Sequence, residues 1–362
     1  MKTAAAIKRA SQQARNAMYA LDKRSAAELL LIYEQAALEI RGRIAASVDG
    51  GQRVPVHKLQ ELLRQVQAII DGLASQRNDL VIKAIDEAAT LGVRPFTLPG
   101  VAAVGGNDAV LSSGAAMRVH EAAVRFVMET AQADGLVLSD RLWRLDLGAK
   151  EALQRAIGNA VVQGQSAAQA AMQFVMRGEA VPADVAQRLA RAGLPELLRA
   201  ADLLTKNTGD GFWQAERVMR TEINRAHGEA FMAAGEGTPG FAGWRYLLSP
   251  RHPAPDICDL LASQNLYGLG PGVYPSREVI PWPAHPNTLS FIEIVFLDEI
   301  TDADRAGKET SLQALGRLAP AIRAGALGKA KAEYFDRGLL STGMIRSPLR
   351  AVEQRLTRIG FK

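Results

Sequence analysis

The sequence predicts a mainly helical protein that carries one small α+β module. Apolar residues recur at a spacing of three to four along most of the chain, which is the period of helices packed on a core. Alanine is abundant and aromatic residues make up only 6% of the chain, which favours helix-on-helix packing. β-type patterning is confined to one stretch, between Gly235 and residue 300. At 362 residues the chain is long enough to bury at least one core.

A helical hairpin region is predicted over residues 1–95, with long helices at 25–47 and 55–92. The turn Asp49-Gly50-Gly51 between them favours an antiparallel arrangement. We expect the apolar stripes of both helices to be core. The stripe positions are Leu29, Leu30, Ile32, Ala36, Leu38 and Ile40 in the first helix, and Leu59, Leu62, Leu63, Val66, Ile69 and Ile70 in the second.

Proline and glycine concentrate over residues 96–115, which predicts a linker, and helical patterns resume over 116–210. The α+β module is predicted over 211–300, as a helix followed by two β-like runs. These runs, Trp244–Leu248 and Phe291–Phe296, can pair as antiparallel strands around a long loop.

The last part of the chain, residues 301–362, is predicted to be a basic helical tail. Its helices are expected around Gln313–Ala332 and Pro348–Ile359. Residues 301–362 contain twelve Lys and Arg against six acids, and residues 1–24 contain six against one, although the formal net charge is only +5. The middle of the chain is therefore net acidic.

Basic ends on an acidic body suit contact with phosphate or with an acidic protein surface. We interpret the tail as a contact to double-stranded DNA. Ordinary solvated helix faces that happen to be basic are the alternative. The candidate DNA-contacting residues are Arg346, Arg350, Arg355, Arg358 and Lys362.

Cys258 is the single cysteine and therefore cannot form an internal disulfide, which favours synthesis in a reducing compartment such as a bacterial cytoplasm. No apolar run approaches the roughly 18 residues that span a bilayer. The amino terminus also lacks a secretory signal pattern. We expect a protein that does not cross a membrane by itself.

The densest group of reactive side chains lies in Ser249–Asp259 and Pro281–Thr288. A thiolate, an imidazole and a carboxylate brought together there can in principle hold Zn²⁺. A structural zinc site usually shows a second cysteine near each ligand, and none is present here. We therefore expect Cys258 and His285 to lie close together as structural residues, without a tightly held ion or a cofactor.

Several short motifs follow one another in a fixed order over roughly residues 140–300. They are Arg220-Thr221-Glu222-Ile223-Asn224-Arg225-Ala226-His227, Trp244-Arg245-Tyr246, the segment Ser249–Asp259 with Arg251, Asp256 and Cys258, Gly270-Pro271-Gly272-Val273-Tyr274-Pro275, and His285-Pro286-Asn287. The ordered series resembles the Mu F-type head morphogenesis family, which are minor capsid proteins of tailed bacteriophages. In that family the last block commonly reads His-Pro-x-Cys with another Cys two residues on, whereas this chain has Thr288 and Ser290.

The resemblance implies a non-catalytic minor head protein, present in few copies within the virion and near the portal vertex. Its partners would be the portal protein, other head proteins and packaged double-stranded DNA, and it would act in head assembly, DNA packaging or genome ejection. Because no base-reading motif is recognisable, we expect DNA binding without sequence preference. We also expect the polar face of the Arg220–His227 helix to be buried against the loop at 249–259.

Two enzyme hypotheses are the alternatives. His227-Gly228-Glu229 matches the His-x-Glu half of zinc deaminases, but their Pro-Cys-x-x-Cys half needs two cysteines. A metal-dependent nuclease or other DNA-processing hydrolase could use His252, Asp256 and His285, although the clustered acids of a two-metal site are missing.

Overall fold

The computed structural model is mainly helical, with one small antiparallel sheet of three strands, as predicted. It describes residues 2–47, 56–97, 111–132, 135–152, 154–155, 204, 211–250, 252–286, 288 and 290–361. Within these residues no helix is long and apolar enough to span a membrane. The chain divides into two compact units. One comprises Met1–Met18, Asp86–Val124 and Ile223–Lys362, and the other comprises Tyr19–Ile85 and Arg125–Glu222.

Two long helices open the chain, α1 (Lys2–Ser47) and α2 (Val56–Val93). The predicted start of the first helix at residue 25 was wrong. The helix begins at Lys2 because small and medium apolar residues such as Ala10 and Ala14 already form a buried stripe there. The stripe at Leu29 and Ile40 is core, but Leu38 is 66% exposed, because the helical period places it on the opposite face.

The unit Tyr19–Ile85 and Arg125–Glu222 also contains the helical residues 138–152. They are tied to α2 by Arg77, whose guanidinium is 1% exposed and donates to Asp146 Oδ1 at 2.7 Å. Buried guanidinium groups require such partners, because an unpaired buried charge is costly. Of the predicted helical region 116–210, residues 156–203 lie outside the described part of the chain.

The other unit contains the sheet and the part of α3 (Ser113–Glu129) as far as Val124. Helix α4 (Gly211–Gly235) leads into β1 (Phe241–Leu247), as the predicted module required. Strand β1 pairs antiparallel with β3 (Phe291–Phe296), with Trp244 opposite Ile294, which confirms the predicted pairing.

A third strand, β2 (Val273–Tyr274), lies on the other side of β1 and was not predicted. Gly243 permits this pairing, because a Cβ there would meet the Tyr274 carbonyl at 2.5 Å. The long loop between β1 and β3 also contains a short helix, α5 (Ile257–Ser263), which was not predicted.

The predicted tail helix Gln313–Ala332 is in fact broken into short helices. The breaks occur because Pro320 starts a new helix and Gly328 adopts a positive φ of 78°. The short helices are α6 (Asp302–Ala306), α7 (Ser311–Arg317), α8 (Pro320–Leu327) and α9 (Lys329–Asp336), and the last helix is α10 (Leu349–Arg358). Buried side chains of α7 to α10 share one apolar cluster with Leu260 of α5, so this part of the chain packs against the module.

Candidate functional site

The polar residues of α4 are engaged inside the protein. Glu222 is fully buried and accepts hydrogen bonds from Gln132 and from Arg141, the latter at 2.9 Å. The Thr221 hydroxyl donates to the Arg217 carbonyl at 2.7 Å. Each hydrogen bond satisfies a polar group that would lower the stability of the fold if it were buried without a partner.

Arg220 and Asn224 complete the polar face of α4. Arg220 pairs with Asp22 at 3.1 Å and with Glu216 at 2.8 Å. The Asn224 amide donates to the Thr288 carbonyl at 3.1 Å. The burial expected for Glu222 and Asn224 is confirmed, but these partners belong to segments other than the loop at 249–259. The register of a helix face fixes which residues point inward, whereas the segment that meets them depends on the tertiary fold.

Trp244 fills the space between α4 and the sheet and is fully buried. Its ring packs on Phe231 and Phe241 with centroid distances of 5.3 and 4.9 Å, and its indole N–H donates to Glu236 at 3.3 Å. The motif tryptophan is thus a core residue with a satisfied polar group.

Cys258 lies at the centre of a polar cluster in the same unit. It is fully buried near the start of α5, and its Sγ is 3.1 Å from Nε2 of His285. The Tyr246 hydroxyl donates to Sγ at 3.1 Å, and the Thr288 hydroxyl is 3.7 Å away. Burial raises the pKa of Tyr246 well above its usual range, so this phenol stays a hydrogen-bond donor. The sequence predicted that Cys258 and His285 lie close together, but it did not indicate Tyr246.

Asp256 connects the cluster to the backbone. Its Oδ1 caps α5 by accepting the Cys258 N–H at 2.7 Å, and its Oδ2 is 3.0 Å from Nε2 of His285. The other ring nitrogen of His285, Nδ1, is 2.9 Å from the carbonyl of Pro286. The hydrogen bond with Cys258 raises the pKa of His285 to about 9.

A second group of side chains adjoins this cluster and shares Asp256 with it. Nε2 of His252 is 2.9 Å from Asp259 and 3.9 Å from Asp256. Asp259 also accepts the Asp256 N–H at 2.8 Å, which completes a capping box at the start of α5. Arg251, which the motif includes, lies outside the described residues.

The His227-Gly228-Glu229 sequence, on which the deaminase hypothesis rests, lies on α4 among packing contacts and, within the described residues, outside the groups of potential metal ligands. The His227 ring stacks on that of Phe231, and desolvation of the ring lowers the pKa of His227 to about 4. Glu229 pairs with Arg277 at 3.0 Å. A Cβ at Gly228 would collide with Trp282, so this glycine makes room for the indole. These contacts are those of a packed helix face.

The candidate DNA-contacting residues occupy the end of the chain. Arg346, Arg350, Arg355 and Arg358 are all exposed, whereas Val352 and Leu356 between them anchor α10 in the apolar cluster. Among the residues that the structure describes, these four guanidinium groups form no ion pair. Lys362 lies outside the described residues.

No known protein family, curated protein or solved structure matches this chain.

Proposed function

We propose that the protein is a non-catalytic minor head protein of the Mu F type, which acts inside the particle near the portal vertex and contacts packaged DNA. The observation that carries this proposal is that side chains of the sequence motifs form hydrogen bonds to other groups of the protein itself. Glu222, Asn224 and Trp244 all bond to other protein groups, as expected of residues that build a structural module. Portal and other head proteins remain the proposed partners.

The exposed arginines of the tail support the DNA contact. A helix that buries Val352 and Leu356 while exposing Arg350, Arg355 and Arg358 holds its charges on a fixed surface. Guanidinium groups bind phosphate through several N–H donors at once. Such contacts read the backbone and not the bases, so the proposed binding has no sequence preference.

The DNA contact is tested by neutralising these four arginines together. Replacing Arg346, Arg350, Arg355 and Arg358 by Gln should weaken binding to a short duplex, measured by fluorescence anisotropy between low and moderate salt. Each lost phosphate contact should lower the slope of log affinity against log salt by about 0.9. Duplexes of unrelated sequence should bind equally well.

A matched control removes the same charge elsewhere. Lys83, Arg118, Arg125 and Arg144 are exposed as well, and their replacement by Gln should leave most of the affinity and the salt slope unchanged. If the two quadruple variants behave alike, the tail is not a specific DNA contact.

The proposed location of the protein inside the virion is tested separately. Quantitative mass spectrometry of purified virions should find the protein in a few copies per particle and retained after removal of surface-bound material. Its absence from purified particles would refute the proposal.

A metal-dependent hydrolase is the second candidate, because two groups of potential ligands share Asp256. A nuclease assay with Mg²⁺, Mn²⁺ or Zn²⁺ tests it. DNA cleavage by the wild-type protein that Asp256→Asn abolishes, while the variant stays folded, would replace the structural proposal.

A further inference from the structure

Three potential metal ligands converge at the start of α5. Nε2 of His285 is 3.1 Å from Sγ of Cys258 and 3.0 Å from Oδ2 of Asp256. In a tetrahedral zinc site, bonds of about 2.0–2.3 Å place such donor atoms about 3.5 Å apart. One ligand atom from each of the three residues lies within 4.8 Å of the other two, so small movements would allow them to hold a cation between them.

The contacts of His285 direct its ring at the other two side chains. The Pro286 carbonyl is an acceptor, so Nδ1 donates a hydrogen bond to it and Nε2 is the ring nitrogen that faces Asp256 and Cys258. Without a metal ion, a proton on Nε2 joins it to the Asp256 carboxylate. A single N–H at Nε2 can form a well-aligned hydrogen bond to the carboxylate or to the sulfur, but not to both. A metal ion can be bound by all three atoms at once.

The surroundings of the cluster match those of metal ligands. Histidine ligands commonly donate their second ring nitrogen to a carbonyl, as His285 does to Pro286. The Tyr246 hydroxyl donates to Sγ of Cys258 at 3.1 Å, so the sulfur has a neighbouring hydrogen-bond donor, as metal ligands commonly do. Oδ1 of Asp256 is held by the backbone of α5, so Oδ2 is kept directed at His285.

We propose that Asp256, Cys258 and His285 bind one Zn²⁺ ion, which joins the start of α5 to the loop before β3. A mixed set of sulfur, nitrogen and oxygen ligands suits zinc, a cation of intermediate softness. His285 and Asp256 keep 34% and 36% of their side-chain surface exposed, so water can complete the coordination from the open side. This site goes beyond the proposed function and does not depend on it. It revises the expectation from the sequence, which considered a thiolate, an imidazole and a carboxylate here but expected no tightly held ion.

The direct test is a titration of the full-length, metal-stripped protein with Co²⁺, which substitutes for zinc and is visible in the spectrum. The expected result is a near-ultraviolet thiolate-to-cobalt band that saturates at one ion per chain and disappears when Zn²⁺ is added. A protein that shows no such band and retains no zinc would overturn the proposal, and this outcome needs no variant to fold.

Variants assign the ligands. Cys258→Ser should abolish the thiolate band, and Asp256→Asn and His285→Gln should each weaken zinc binding at least about 100-fold. Tyr246→Phe removes the donor to sulfur and should weaken binding about 10-fold. His120→Gln is the matched control, because His120 pairs with Asp86 outside the cluster. It should bind zinc like the wild type. A thiolate band that survives Cys258→Ser, or zinc affinity unchanged in His285→Gln, would refute the site.

Discussion

Two helices of this protein are rich in arginine, and they use it in opposite ways. In α4, Arg220 pairs with Asp22 and Glu216, and Arg225 is only 4% exposed. In α10, Arg350 and Arg355 are exposed. The difference shows that arginine content does not decide function. A guanidinium surrounded by carboxylates contributes to the fold, whereas an exposed one stays available for phosphate.

Two cations near the amino terminus, Lys8 and Arg15, are likewise used by the fold. Near the amino terminus, Lys8 pairs with Glu299 and lies 3.5 Å from Glu293, and Arg15 lies over the ring of Phe291 at 3.9 Å. These cations hold α1 against β3. Charge counts alone predict a phosphate contact at both ends, because they do not record which cations have partners in the fold.

The largest effect on stability is expected at the buried face of α4. Glu222→Ala removes the acceptor of Arg141 and Gln132 and should lower the free energy of unfolding by about 3–5 kcal/mol, measured by urea denaturation. Glu353→Ala on exposed α10 is the control and should change it by less than about 0.5 kcal/mol. A Glu222→Ala protein with wild-type stability that has lost a measurable hydrolase, nuclease or deaminase activity would favour the enzyme hypothesis.

A second, smaller effect concerns His227, which lies farther along α4. Burial first, and then the charge of Arg15, lower its pKa from 6.5 to about 4. The unfolded chain therefore takes up the proton first as pH falls, and stability should decrease by about 1.4 kcal/mol per pH unit at most between pH 6.5 and 4. Urea denaturation at a series of pH values should show this loss in the wild type. His227→Phe should remove this part of the pH dependence, and an unchanged profile would mean that His227 is not buried as described.

The smallest effect is expected at Lys8, and it separates the two basic ends. Lys8→Gln breaks partly exposed ion pairs and should cost less than about 1 kcal/mol, with a smaller loss at high salt. Its DNA affinity should stay near that of the wild type. A large loss of DNA affinity in Lys8→Gln would show that the amino-terminal end also contacts phosphate.

The sequence predicted the elements with strong periodicity. The pairing of β1 with β3 followed from alternating apolar residues, and α4 followed from its helical period. Strand β2 was missed because two residues, Val273 and Tyr274, are too short to show alternation. The break at Gly328 was missed because a positive φ is not visible in an apolar pattern.

At the candidate site, the closeness of Cys258 and His285 was predicted, but their other neighbours were not. Tyr246 lies on β1, and its contact with Cys258 depends on how α5 packs on the sheet. Asp256 did leave a signal. An Asp followed three residues later by Asp259 is the spacing of a capping box, which would have indicated both α5 and the direction of the Asp256 carboxylate.

The central proposal is that the arginines at the carboxyl-terminal end contact DNA, whereas Lys8 and Arg15 near the amino terminus serve the fold. Chemical cross-linking of the full-length protein to duplex DNA, with the attached peptides identified by mass spectrometry, tests it most directly. The account predicts cross-links within residues 346–361 and few or none at Lys8 and Arg15. Cross-links that concentrate at the amino terminus, or that spread evenly over all exposed cations, would contradict it.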